Sequence, residues 1–196
     1  MSNTQDADPS FDATAMGEPT PHPPALLLLA AFSRYEAALR WARGRAVAAW
    51  GPVALESPAF PFDQTDYYTP TMGPGLVKVF WAFERPFDPA GLAGVKLAAN
   101  RWEQEYAEQG AHPEPRPLNL DPGYLTPAKL VLASTKDFAH RIYLGRGIYA
   151  EITLFYRRGR WEGHEWTFPD YRREEYHRFF SQCRELLDRR TAEAPA

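Results

Sequence analysis

LVKVFWAFERPFDPAGLAGVKLAANRWEQEYAEQG, residues 76–110, changes its hydrophobic period halfway, and that change decides the fold. Leu76, Lys78, Phe80, Ala82 and Glu84 alternate with Val77, Val79, Trp81 and Phe83, the period of two that a β-strand requires. Asp88-Pro89 then supplies an N-cap acid and a proline at the first helical position. Beyond it Leu92, Val95, Ala99, Trp102 and Tyr106 recur at steps of three and four, the apolar stripe of a helix, and Gly110 closes it.

The same strand-then-helix unit stands upstream. Ala25–Phe32 is a continuous apolar run, suited to a strand buried on both faces. Ser33 with Glu36 has capping-box spacing, and Tyr35, Leu39, Ala42, Ala46 and Trp50 form a stripe that Gly51-Pro52 stops. Val53–Phe62 reads as extended and Arg116–Leu120 as a short strand. The order is βαββαβ, the connectivity of a ferredoxin-like sandwich with two helices on one face of an antiparallel sheet.

Downstream, Thr126-Pro127 followed by Ala128–Ser134 fits a short helix, while Leu130-Val131-Leu132 equally fits a strand. Phe138–Leu144 and Ile148–Tyr156 read as a hairpin joined by a three-residue loop, Gly145-Arg146-Gly147, with Gly147 left-handed. That register sets Tyr143 opposite Tyr149 and Arg141 opposite Glu151, and puts Ile142, Leu144, Ile148, Ala150 and Ile152 on the other face. Arg160–Phe168 returns as a third strand. Asp170 is placed to cap a last helix carrying Tyr176, Phe179, Phe180, Cys183, Leu186 and Leu187. The fold class is α+β: a mostly antiparallel sheet begun by the βαββαβ unit, extended by a meander, closed by a C-terminal helix.

Residues 1–24 hold five prolines and no apolar periodicity, and read as a disordered tail. Residues 25–190 make one globular domain, and 191–196 a frayed end. With 196 residues, 44% of them hydrophobic, the chain can bury a sizeable core. Its net charge of −3 argues against a nucleic-acid binder. A single cysteine, Cys183, excludes an intramolecular disulfide and a cysteine-rich zinc site. No apolar run approaches the ~20 residues that span a bilayer, so the reading is cytoplasmic and without membrane contact.

Side chains with chemistry gather between residues 119 and 151. From 136 to 160 there are six Lys or Arg against two acids. His140 is the acid–base candidate, oriented by Asp137 or Glu151. Lys136, Arg141 and Arg146 suit a phosphate or carboxylate. Asp63, Asp66 and Asp121 suit a hydroxyl, an amine or a bridging cation, and Tyr67 and Tyr124 lie beside them in sequence. Asp63 and Asp66 equally suit a capped turn near Thr65, and Asp121-Pro122-Gly123 an ordinary turn. The five histidines have no HxH or HxxxH pair, so no zinc triad is expected.

FPFDQTDYY (60–68), MGPG (72–75), FERPFDP (83–89), NLDPGYL (119–125), KLVLASTKDFAHRIYLGRGIYAEITL (129–154) and WTFPDYR (166–172) together resemble a bacterial family catalogued as a domain of unknown function. The resemblance spans roughly residues 25–187 and implies a single-domain cytoplasmic protein with no established activity. Some members carry the label "GTP-binding protein", yet this chain has no GxxxxGK[ST] loop and no NKxD-like element. The expectation is a domain that binds, or transforms, a polar anionic small molecule such as a nucleotide or phosphorylated metabolite. The alternative is a non-catalytic domain that grips a protein partner through the aromatic loop 60–68 and the basic hairpin tip Arg157–Arg160.

Overall fold

The computed structural model describes residues 18–20 and 22–193. Of the tail expected over 1–24, residues 1–17 and 21 lie outside that range, as do 194–196 of the expected frayed end. β1 (Ala25–Ser33) is buried along its whole length, as a continuous apolar run requires. It is followed by α1 (Glu36–Trp50), β2 (Val53–Glu56), β3 (Phe60–Pro61), the short α2 (Thr69–Met72) and β4 (Val77–Phe87). A 3₁₀ turn, Pro89–Gly91, leads into α3 (Leu92–Glu108), and the Asp88 carboxylate accepts from the Ala90 N–H as expected of a cap. Then come β5 (Asn119–Leu125), β6 (Lys129–Ser134), β7 (Ile142–Gly145), β8 (Ile148–Arg157) and β9 (Arg160–Gly163). A second 3₁₀ turn, Pro169–Arg172, precedes α4 (Glu174–Glu193).

The described strands form one nine-stranded sheet whose main path runs β2-β4-β1-β5-β6-β8-β7, with β3 added beside β4 and β9 beside β8. Every pairing is antiparallel. The four strands of the βαββαβ unit lie in the order β2-β4-β1-β5, with β1 and β2 parallel to each other across β4. This is the ferredoxin-like arrangement read from the sequence. Leu27, Leu29, Ala31, Val79, Trp81 and Phe83 face α1 and α3. Leu26, Leu28, Ala30, Phe80 and Ala82 face the other way, onto Tyr176, Phe179, Phe180, Cys183 and Leu187 of α4. The sheet is therefore covered on both sides.

Several local expectations are corrected. The Ser33–Glu36 capping box does not form, because β1 extends through Ser33. The buried Ser33 hydroxyl donates to the Pro117 carbonyl at 2.5 Å and accepts from the Tyr35 N–H, while Glu36 pairs with Arg40. The segment after Thr126 is a strand. The Thr126 hydroxyl accepts from the N–H groups of Ala128 and Lys129, making a tight turn that sends the chain back along β5. The strand expected at Arg116–Leu120 starts three residues later and runs through Asp121-Pro122-Gly123, which is no turn. The strand expected from Phe138 starts only at Ile142, and the one expected over Arg160–Phe168 stops at Gly163. Asp170 does not cap α4; it lies buried in the preceding 3₁₀ turn. Helix α4 also continues through Thr191–Glu193.

The hairpin keeps its predicted pairs. Tyr143 faces Tyr149 with ring centroids 5.1 Å apart, and Arg141 Nε donates to Glu151 Oε2 at 2.7 Å. Its turn is two residues, Arg146-Gly147, both at positive φ (54° and 76°), and the register shifts between Tyr143 and Gly145. Ile148 and Ala150 pack on Leu92 and Ala93 of α3, but that cover ends at β8, so Ile142 is 73% exposed. A bulge in β8 reverses its faces. Val131 pairs with Ile152 and Leu130 with Leu154, leaving Thr153 over, so Leu154 joins Glu151 on the α4 side.

Two glycines predict opposite responses. A Cβ at Gly123 would lie 2.2 Å from the Val131 carbonyl oxygen of β6, whereas one at Gly44, exposed in mid α1, would meet nothing within 4 Å. Gly123→Ala should lower stability by about 1–3 kcal/mol or more, and Gly44→Ala should raise it by about 0.4–1 kcal/mol, read as shifts of the urea midpoint. Equal midpoints for the two variants would refute the close strand approach.

Candidate functional site

The sheet is split at one end between β5 and β6. β5 and β6 pair only from Gly123↔Leu132 to Leu125↔Leu130. Before Gly123, β5 pairs with β1 alone, and beyond Leu132, β6 pairs with β8 alone. Pro122 explains where the ladder stops. Alternate residues of a strand turn their N–H to the same side, and proline has none to offer. Leu120, two residues earlier, would face the same gap with both backbone groups bare. Side chains of α3 occupy them instead: Glu103 Oε1 accepts from the Leu120 N–H at 2.7 Å, and Lys96 Nζ donates to the Leu120 carbonyl at 2.8 Å.

Around this split lies a cleft of about 840 Å³. Its wall carries five cationic side chains, Lys78, Lys96, Arg116, Lys136 and Arg141, and four carboxylates, Glu103, Asp121, Glu151 and Asp170. Most are buried and paired, as charges away from water must be. Lys78 Nζ meets Asp170 Oδ2 at 2.5 Å, with the rings of Phe62, Phe32 and Tyr171 at 4.2, 4.9 and 5.0 Å from the ammonium. Lys96 also donates to Asp121 Oδ1 at 3.0 Å, and Asn119 Nδ2 donates to Asp121 Oδ2 at 2.8 Å. Burial works to raise the Asp121 pKa, but the Lys96 and Lys78 charges and these hydrogen bonds outweigh it and hold the carboxyl below its ordinary value. Burial pushes the Glu103 carboxyl up, against the pull of Lys96. Arg116 bonds the side-chain oxygen of Asn119 and reaches Glu103 at 3.5 Å.

The mouth is aromatic. Tyr67 comes from the loop before α2, Phe138 from the β6–β7 connection and Phe168 from the segment after β9, and all three line the cleft while remaining exposed. Lys136 Nζ donates to the Tyr67 hydroxyl at 3.1 Å, bridging two walls, and this bond draws the Tyr67 phenol below its ordinary pKa.

The structure thus brings Tyr67, Asp121, Lys136, Arg141 and Glu151 to one cleft, and leaves the other candidates off it. His140 stands behind the wall: its Nε2 lies 3.1 Å from Glu151 Oε2 and its ring stacks on Trp166, so it reaches the cleft only through Glu151. Asp137 is exposed and does not line the cleft. Asp63 is exposed, 4.0 Å from Arg173, and Asp66 is exposed with its carbonyl holding the Thr69 N–H. Tyr124 is on the opposite face of β5, near Phe87, and Arg146 is at the hairpin tip beside Gly94 of α3.

Sequence reasoning missed Lys78, Lys96, Glu103, Arg116 and Asp170. A signal existed for the first three. Lys78 interrupts the inward series Leu76, Phe80, Ala82, and Lys96, Asn100, Glu103 and Ala107 form a stripe at helical spacing beside the apolar one. Among the described residues no group of three or more His, Cys, Asp or Glu could hold a metal ion, and no helix is long and apolar enough to cross a membrane.

The Lys78–Asp170 pair carries a prediction. Lys78→Met or Asp170→Asn alone strands one buried partner and should cost about 3–5 kcal/mol, while Lys78→Met combined with Asp170→Leu should lose far less than the sum. Additive losses in urea unfolding would show that the two charges do not act as a pair.

No curated protein and no solved structure matches the chain. One family profile does, over residues 23–187, which takes in every strand of the sheet, the whole cleft wall and most of α4. That match makes this chain a member of the family described as Domain of unknown function (DUF4416).

Proposed function

We propose that the cleft at the split sheet binds a polar, anionic small molecule of the nucleotide or phosphorylated-metabolite class. One observation carries the reading: five cationic side chains from four separate segments converge on one concave wall of about 840 Å³. Ligand pockets have this size, and they place a few polar groups among apolar ones. Lysine and arginine at such a wall supply charge-assisted hydrogen bonds to phosphate or carboxylate. Catalysis would fall to Glu151, backed by His140, and to Glu103, whose raised pKa suits an acid or base. A cytoplasmic setting accords with one free, buried cysteine.

The alternative, a protein-binding domain, is weakened at its first anchor. Phe60 and Phe62 of the aromatic loop are in the core, with only Tyr67 of that loop strongly exposed. What supports it now is the outer strand β7, where Ile142, Tyr143 and Leu144 are all exposed.

A thermal-shift screen with nucleotides, sugar phosphates and carboxylate metabolites decides between them. A ligand at a hundred times its Kd adds about 2.7 kcal/mol of stability. Lys136→Ala, at an exposed position, should reduce the response of the best anion without unfolding the protein. If no anion moves the melting temperature, the small-molecule reading fails and the partner reading takes its place.

A further inference from the structure

Resting on the anion-binding reading above, we infer that the ligand carries a flat aromatic ring together with one compact anionic group, and not a polyphosphate chain. The ring belongs to the mouth. Tyr67, Phe138 and Phe168 are 65%, 48% and 45% exposed, and they come from three segments far apart in sequence that meet only here. Leaving three large rings in water is unfavourable unless something covers them. Tyr67 meets Tyr68 edge to face and Phe138 lies tilted against His140, and all three mouth rings keep exposed surface for a guest. Aromatic walls hold planar ligands by stacking, with an offset or edge-to-face geometry. A cation stands over a face of two of them, Lys136 at 4.9 Å from the Tyr67 centroid and Arg141 at 4.6 Å from that of Phe138. A ring entering between these residues therefore brings its anion past two positive groups.

The interior sets the charge. Among the described residues the Lys78 ammonium has one hydrogen-bond acceptor, Asp170, and Lys96 has two, the Leu120 carbonyl and Asp121. Each ammonium has three N–H donors, so Lys96 keeps one for an oxyanion, while Lys78, packed among the rings of Phe32, Phe62 and Tyr171, acts on it through its charge. The wall as a whole holds five cations against four carboxylates, an excess of one positive charge. One carboxylate matches that excess, and a monophosphate, with a charge of about −1.5 to −2 at neutral pH, goes only slightly beyond it. A triphosphate brings three or four negative charges onto a wall that already holds four acids, and like charges at close range repel.

The test measures binding by the full chain, by calorimetry, of AMP and 4-hydroxyphenylacetate as ring-bearing single anions. Ribose 5-phosphate serves as an anion without an aromatic ring, adenosine as an aromatic ring without an anion, and ATP as a polyphosphate. AMP or 4-hydroxyphenylacetate should bind roughly five- to a hundredfold more tightly than ribose 5-phosphate and adenosine, and ATP no more tightly than AMP. The AMP and 4-hydroxyphenylacetate arms tell a monophosphate from a carboxylate. Tyr67→Ala and Phe138→Ala, both exposed and free of the core, should reduce the ring-bearing ligand to the level of its ring-free counterpart. Ribose 5-phosphate binding as well as AMP would overturn the aromatic subsite and leave the anion reading standing. Tighter binding of ATP would overturn the single-charge match. Silence from every compound would remove both this inference and the anion reading beneath it.

Discussion

Leu120 has no strand beside it on one side, and Lys96 and Glu103 of α3 take its carbonyl and its N–H in place of one. An unsatisfied buried backbone group costs about as much as a lost hydrogen bond, so two of them would be enough to close the sheet or reshape it. With both satisfied from α3, β5 and β6 can stay apart over the residues of β5 that precede Gly123. Pro122 guards the same opening from the other direction, because it brings no N–H with which β6 could extend the ladder. The two devices are complementary: one makes the gap tolerable and the other makes it permanent.

The cleft inherits its character from that opening. Its charges come from both faces of the sheet, Lys96 and Glu103 from the α3 side, Lys78, Asp170 and Glu151 from the α4 side. In an unbroken sheet they would be separated by the backbone layer. Here they share one wall, and the field of Lys96 and Lys78 together holds Asp121 ionised. Buried ion pairs of this kind are a weak source of stability, since desolvation offsets most of their attraction. Their value lies in fixing where donors and acceptors point. The bulge at Thr153 contributes to the same end, because it lets β8 present Glu151 to the cleft while Leu154 joins the core on the same face.

The part of this fold that was legible in the sequence is the part governed by period. The strand at Leu76–Glu84, the stripe of α3 and the unbroken apolar run of β1 each have a pattern that only one element type satisfies, and from them the ferredoxin-like order follows. The hairpin register was legible for the same reason, since a slip would have mixed Arg141, Tyr143 and Glu151 with the apolar face. What failed were readings of single residues as local punctuation. Asp-Pro-Gly looks like a turn until Gly123 is seen pressed against the Val131 carbonyl, where only a hydrogen fits. Ser33 and Asp170 look like caps until distant partners, Pro117 and Lys78, claim them. A cap is worth about 1 kcal/mol, and a contact that satisfies a buried charge outweighs it.

The candidate site divides along the same line. The residues found in advance, Tyr67, Asp121, Lys136, Arg141 and Glu151, stand where chemical side chains are dense in sequence. Lys78, Lys96 and Glu103 sit singly inside elements whose apolar pattern absorbs attention, and their partners are 92, 25 and 17 residues away in sequence, as Asp170, Asp121 and Leu120. A lone charge on the inward side of a strand, or on a helix beside its buried stripe, must find an opposite charge or a bare backbone group, because burial without one costs more than the element gains by packing. Such a residue therefore marks a place where the fold brings two distant segments together. In this protein three of them mark the same cleft.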